Sequence, residues 1–356
     1  MGAKMEMRRI EQVTQLAQRI LGNGPDPAVR LRLLRDVLRL PPDSRELSNA
    51  RAQLATSRWV RELEREQHPD GGWGRFHTAD YSGEQKINKT EAGVERALAL
   101  GLDASHPILA RAAKYISGVL RGRIAFPDRA ERNERWATGF RLFASASLAK
   151  IQPDLPILDE IWDLWAEIAR RTFASGQYDA EAERRAHREL TGICKDIGYL
   201  VLHNKYSLAL LASRADRLPR ATERALAAWA WHKESGLVYL SEPLFRPPAS
   251  ARGGRIDRWV ASQELMAAFP SWRQPAGDVI DWLWAQRNTQ GLWDFGPGTG
   301  SPCLPLSETW RRRGTRQHDW STRILVLLAR YHSGGCDRPV GVSRNRRNRR
   351  REVDAR

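Results

Sequence analysis

Gln67-His68-Pro69-Asp70-Gly71-Gly72-Trp73-Gly74 recurs in weaker form near the other end of the chain, as Gln286-Arg287-Asn288-Thr289-Gln290-Gly291-Leu292-Trp293-Asp294-Phe295-Gly296. Each copy sets a glutamine ahead of a glycine turn and closes on an aromatic. Similar turns lie between them, Ser175-Gly176-Gln177-Tyr178 and Ser235-Gly236-Leu237-Val238-Tyr239, with a poorer one from Gly122 to Phe126. The interval is roughly 50 to 60 residues, the length of one helical hairpin with its loops.

Apolar residues at helical spacing precede each turn, for example Trp59, Val60 and Leu63 before the first and Val279, Ile280 and Leu283 before the last. Glycine then ends the helix, where a left-handed backbone residue closes it without steric cost. A second helix is predicted after every turn, over residues 89–101, 134–150, 195–213, 257–269 and 319–332. Amphipathic segments at 6–21 and 27–39 add a sixth hairpin or a packing arm. No alternating run is long or β-branched enough for a sheet. Helical pairs of this period bury their apolar faces only by stacking on neighbours. The expected fold is all-α, an α/α toroid of five to six hairpins. In such a ring the first helix of each pair lies outside and the second lines the centre. The expected organisation is 1–44 as N-terminal helices packing on or completing the toroid, 45–333 as the toroid, and 334–356 as a disordered basic tail.

These turns resemble the QW repeats of the terpenoid cyclase and protein prenyltransferase superfamily, which includes squalene cyclases. Trp73 with Gln67, and Trp293 with Gln286, carry the resemblance, over residues 45–333. It implies that the glutamine caps a neighbouring helix and that the tryptophan packs in the turn. It implies a reaction less directly, because the motifs that assign one are absent. There is no Asp-x-Asp-Asp acid motif, no Asp-Asp-x-x-Asp metal motif and no Asp two residues before a cysteine for a prenyltransferase zinc. The paired Cys and His ligands of lanthionine-forming toroids are absent too.

The 356 residues suffice for one large helical domain. The formal net charge of +16 owes much to the tail Arg344-Asn345-Arg346-Arg347-Asn348-Arg349-Arg350-Arg351. Such a run suits nucleic acid or anionic lipid, and equally a solvated terminus. No folded nucleic-acid-binding motif is present. Three cysteines, Cys194, Cys303 and Cys336, are too few for a disulfide framework. The charged N-terminal segment is no signal core and no apolar run reaches membrane-spanning length. A soluble cytoplasmic protein is expected.

If the second helices line a cavity, their polar first turns face its mouth. These carry Glu91, Arg135 and Trp136, Lys205 and Tyr206, Asp257, Arg258 and Trp259, and His318, Asp319, Trp320 and Arg323. Helix capping explains the acids. It explains the Trp, His and Arg residues less well. Asp319, Asp257 or Glu91 is the candidate acid of an isoprenoid enzyme. Arg135, Lys205, Arg258 and Arg323 would hold a diphosphate, Trp136, Trp259 and Trp320 would shape the apolar end, and Tyr206 and His318 complete the lining. The residues identify no cofactor and no metal site, and magnesium enters only with a diphosphate substrate. Cys303 with His318 does not make a zinc site. The acid clusters Asp159-Glu160 with Asp163, and Asp179 with Glu181 and Glu183, read as solvated helix faces. The alternatives are a non-catalytic toroid holding a ligand or partner, and a carbohydrate-active toroid enzyme with paired carboxylates about 5 to 9.5 Å apart. A closed apolar cavity with one acid favours the isoprenoid enzyme, and a highly charged one favours binding or a polar substrate. The loops at 241–255 and 296–317 are candidate lids.

Overall fold

The computed structural model describes residues 2–78, 85–249, 254–297 and 303–333. The basic tail and Cys336 lie outside the described residues, as do parts of both candidate lids.

The described residues form fourteen α-helices and no strand. In chain order the first five are α1 (Gly2–Gly22), α2 (Pro27–Arg32, running on as a π-helical stretch, Leu33–Val37), α3 (Arg45–Ala55), α4 (Arg58–Glu66) and α5 (Thr90–Leu100). Then come α6 (Pro107–Leu120), α7 (Trp136–Ile151), α8 (Asp159–Thr172), α9 (Ala180–Thr191) and α10 (Lys205–Ala212). The last four are α11 (Arg220–Trp231), α12 (Gly254–Met266), α13 (Gly277–Ala285) and α14 (Arg313–His332).

Side-chain caps fix several starts. Ser57 accepts from the Val60 N–H, and Asp179 from the N–H groups of Glu181 and Ala182. The helices before the turns bury one stripe, as α8 does with Ile161, Trp162, Trp165, Ile168 and Ala169. Two helices later in the chain are buried nearly all round over their middle stretch. In α14 every residue from Asp319 to Leu328 is buried, and in α10 every residue from Tyr206 to Leu211. The post-turn helices pack in succession, α5 on α7, α7 on α10 and α10 on α12. Arg323 of α14 reaches Asp257 and Glu264 of α12. At the N-terminal side, α14 packs against α1 and α2, and α2 against α5.

The two Trp turns are built alike. Trp73 Nε1 donates to the Leu63 carbonyl at 3.1 Å, and Trp293 Nε1 to the Leu283 carbonyl at 2.6 Å. The Trp73 N–H donates to Thr90 Oγ1 and the Trp293 N–H to Ser321 Oγ, both at 3.0 Å. His68 N–H to Gly72 O matches Asn288 N–H to Leu292 O. Gly71 has φ +101°, and a Cβ there would lie 2.5 Å from the Arg111 carbonyl of α6, so only glycine fits. This hydrogen-bond register sets Gln67 opposite Arg287, one residue away from the Gln286 pairing suggested by the sequence.

Two sequence expectations change. The helix expected over 195–213 is short, because Gly198 (φ +49°) begins a separate 3-10 turn and Asn204 caps α10 through the Tyr206 N–H. Helix α9 precedes it. Within α9, Glu183 is not solvated. It is fully buried, accepting from Tyr178 Oη at 2.8 Å and from the Leu202 N–H at 2.7 Å.

Candidate functional site

Helices α2, α5, α7, α10, α12 and α14 all reach one cavity of about 480 Å³. Arg32 comes from α2, Glu95 from α5, Lys150 from α7, Lys205 from α10, Asp257, Arg258 and Glu264 from α12, and Arg323 and Arg330 from α14. Six cations thus face three carboxylates. Leu98, Leu265, Val326 and Leu327 supply an apolar floor.

The carboxylates are already engaged. Glu95 Oε1 lies 2.6 Å from both Lys150 Nζ and Lys205 Nζ. Burial alone would raise its carboxyl, but the two ammonium groups outweigh burial and hold it at about 2. Arg323 grips Glu264 with two bonds of 2.8 and 2.7 Å and also donates to Asp257. Burial works against its charge, and these carboxylates outweigh it, so its pKa stands well above the usual value. Arg330 differs. Its guanidinium makes no hydrogen bond or ion pair with any described residue, and burial, only partly offset by Asp36, lowers its pKa. Arg330 is only partly buried, so its unused donors face the space of the cavity and are free to meet an anion there.

One helical turn before Glu95 on α5 stands Glu91. Its carboxylate meets His77 Nδ1 at 3.1 and 3.2 Å and accepts from Tyr206 Oη at 2.6 Å. Tyr206 Oη is also 3.0 Å from His77 Nδ1. Burial first, then the charges of Glu91 and Glu95, raise the Tyr206 phenol well above its usual pKa. The imidazole stacks on Phe143 at 4.0 Å and meets Tyr206 and Tyr239 edge-on at 5.2 Å. Asp128 fixes the loop that carries it, accepting from the N–H groups of Phe76, His77 and Thr78 at 2.7 to 2.8 Å. Tyr239 also lines the 480 Å³ cavity, so the two groups of residues adjoin. Its φ is +73°, unusual for an aromatic residue.

The sequence candidates divide accordingly. Lys205, Arg258, Asp257 and Arg323 line the cavity, and Glu91 and Tyr206 form the cluster beside it. The three tryptophans do not line the cavity. Trp259 is buried against Trp282 at 5.4 Å, Trp320 donates to the Gly296 carbonyl at 2.7 Å, and Trp136 packs on Phe126 at 5.6 Å. Asp319 points into the 304–307 loop, accepting from the Leu306 and Ser307 N–H groups and from Ser307 Oγ, and burial pushes it up to about 6. Arg135 lies over the Tyr199 ring and pairs with Asp196. His318 lines a separate cavity with Arg19 and Gln290, whereas Cys303 lines the 480 Å³ cavity.

Reading only the first helical turns missed His77, Glu95, Lys150 and Arg330. The i, i+4 step from Glu91 to Glu95 and the i, i+7 step from Arg323 to Arg330 were the usable signals. His77 sits in a loop and carries no periodic signal.

No protein-family model, curated protein or solved structure matches this chain. Among the described residues no helix is long and apolar enough to cross a membrane, and no three His, Cys, Asp or Glu side chains converge as metal ligands.

Proposed function

We propose that the hairpins close into an α/α toroid and that its centre binds a small anionic molecule with an apolar portion. The observation carrying this reading is the single cavity into which six helices send charged groups, with cations in excess and Arg330 unpaired. The ring is supported by the succession of packed helices from α2 through α5, α7, α10 and α12, with α14 joined to α12 by Arg323 and packed on α2. On this reading α1 and α2 supply the sixth hairpin.

An isoprenyl diphosphate belongs to this ligand class. Its head would sit by Arg330, Lys205 and Lys150, and its chain on Leu98, Leu265, Val326 and Leu327. The use of Asp257 or Asp319 as an alkene-protonating acid finds no support in their surroundings, since one is ion-paired with Arg323 and the other holds a loop. Charge therefore favours recognition of a polar head over handling of a bare hydrocarbon.

Calorimetry with farnesyl diphosphate, inorganic pyrophosphate, farnesol and an oligouronate, with and without magnesium, tests this. At least one anion should bind, and Arg330→Gln should weaken it about 10- to 100-fold, the value of a charge-assisted bond. Equal binding of farnesol and its diphosphate, or an anion affinity unmoved by Arg330→Gln, would sink the reading.

A further inference from the structure

We propose that His77 is the proton acceptor of this site, oriented by Glu91 and Tyr206, and that the protein is therefore an acid–base enzyme acting next to the ligand's anionic head. The inference rests on the anion-binding reading above.

A carboxylate only accepts hydrogen bonds. The Tyr206 hydroxyl, 2.6 Å away, therefore donates to Glu91, and the imidazole proton belongs on Nδ1, 3.1 Å from the same oxygen. This tautomer leaves the Nε2 lone pair exposed for use, and Nε2 makes no hydrogen bond with any described residue. A base within hydrogen-bond reach of a third, orienting group is the arrangement that activates proton transfer. The Asp128 clamp and the Phe143 stack leave the ring little freedom to turn.

A purely structural role accounts poorly for the cluster, because the chain contains its own control. Four residues after the tryptophan stands His77 in the first turn and Pro297 in the last. Ser321 takes the part of Thr90, which places Thr322 where Glu91 stands. The second turn thus keeps the same frame without the imidazole or the carboxylate. Position completes the argument. Glu91 is one turn before Glu95, Tyr206 follows Lys205, and Tyr239 borders both the imidazole and the cavity.

The step is a proton transfer. A C–H or O–H bond of the ligand beside its anionic group breaks, the proton goes to Nε2 to give an imidazolium paired with Glu91, and the electron pair stays on the ligand near Lys205 and Lys150. Return of the proton to a different atom completes an isomerisation. In an elimination the retained pair instead forms a new double bond while the neighbouring bond to a leaving group breaks, its own two electrons departing with that group.

Diethylpyrocarbonate acylation of the whole protein, followed by peptide mass mapping, reads the reactivity of each histidine. His77 should be acylated at least tenfold faster than exposed His232. Glu91→Gln should slow it at least fivefold, and Tyr206→Phe should slow it less while preserving the ring packing. An ordinary rate at His77, or a rate unmoved by both variants in folded protein, overturns the proposal. Inorganic pyrophosphate should protect His77 in the wild type and not in Arg330→Gln, each compared with its own rate without pyrophosphate. Fast, Glu91-dependent acylation without that protection overturns the ligand-binding reading and not the activated histidine. Protection of a histidine that reacts at an ordinary rate does the reverse.

Discussion

The first Trp turn and the last share a frame and differ in what hangs from it. Both place a tryptophan indole on a carbonyl ten residues earlier and a backbone N–H on a hydroxyl of the following helix. Around the first, Gln67 Nε2 also donates to the Gly71 and Ile108 carbonyls at 2.8 and 2.9 Å, and Gln67 Oε1 accepts from Arg111, so the turn is stitched to α6. Around the last, Arg287 in the Gln67 position bends back over Trp284, and Arg19 of α1 donates to the Gln290 carbonyl. The first turn then leads into His77 and Glu91, and the last into Pro297 and Thr322. The repeated residues hold each turn to its own pair of helices, and the unrepeated ones are Gln67, which ties the first turn to α6, and the His77–Glu91 pair.

The tryptophans should give the largest effect. Trp73 and Trp293 are both fully buried, so replacing either with Ala should cost about 3–5 kcal/mol in urea-induced unfolding. Similar losses at both positions support equivalent turns. A loss below about 1 kcal/mol at either would break the equivalence.

The helices after the two turns should respond to pH with opposite sign. Glu95 on α5 is held at about 2, below its ordinary 4.5. Its contribution is complete above pH 4.5 and disappears as pH falls towards 2, an amount of about 3 kcal/mol. Asp319 on α14 is raised from 3.8 to about 6. The unfolded chain there releases its proton first, so stability falls as pH rises from about 4 to 6, again by about 3 kcal/mol at most. Denaturation of Glu95→Gln and Asp319→Asn beside the wild type, at pH 3 to 7, should give difference curves of opposite slope. Parallel or flat differences would show that one of the two environments is misread.

Much of this frame was legible in the sequence because turns declare themselves locally. Gly71, Trp73, Gly291 and Trp293 each meet a backbone demand that few residues satisfy, and the apolar spacing before them specifies helix. The destination of a side chain is decided by the packing of several helices at once. Trp136, Trp259 and Trp320 follow turns much as Lys205 and Arg323 do, yet Trp259 and Trp320 go to the buried core, Trp136 packs half-buried on Phe126, and the charged groups reach the cavity. Transfer free energy explains that sorting, since a buried indole gains from apolar contact whereas a charge needs a partner. Neither periodicity nor motif identifies it in advance. His77 was the least legible residue, because its role depends on Asp128, Glu91 and Tyr206, all distant from it in sequence.

The smallest effect tests the register of the repeat. Gln67→Ala removes an amide that serves two carbonyls and Arg111, so it should cost about 1–2 kcal/mol. Gln286 makes no side-chain hydrogen bond with a described residue, and Gln286→Ala should stay within about 0.5 kcal/mol of the wild type. Arg287→Ala loses a bond to the Trp284 carbonyl and the guanidinium packing on that ring, for a cost of about 1 kcal/mol. The order Gln67, Arg287, Gln286 in chemical denaturation follows from the hydrogen-bond register. The order Gln67, Gln286, Arg287 would instead restore the pairing suggested by sequence, and with it a second turn that ties its neighbour through glutamine.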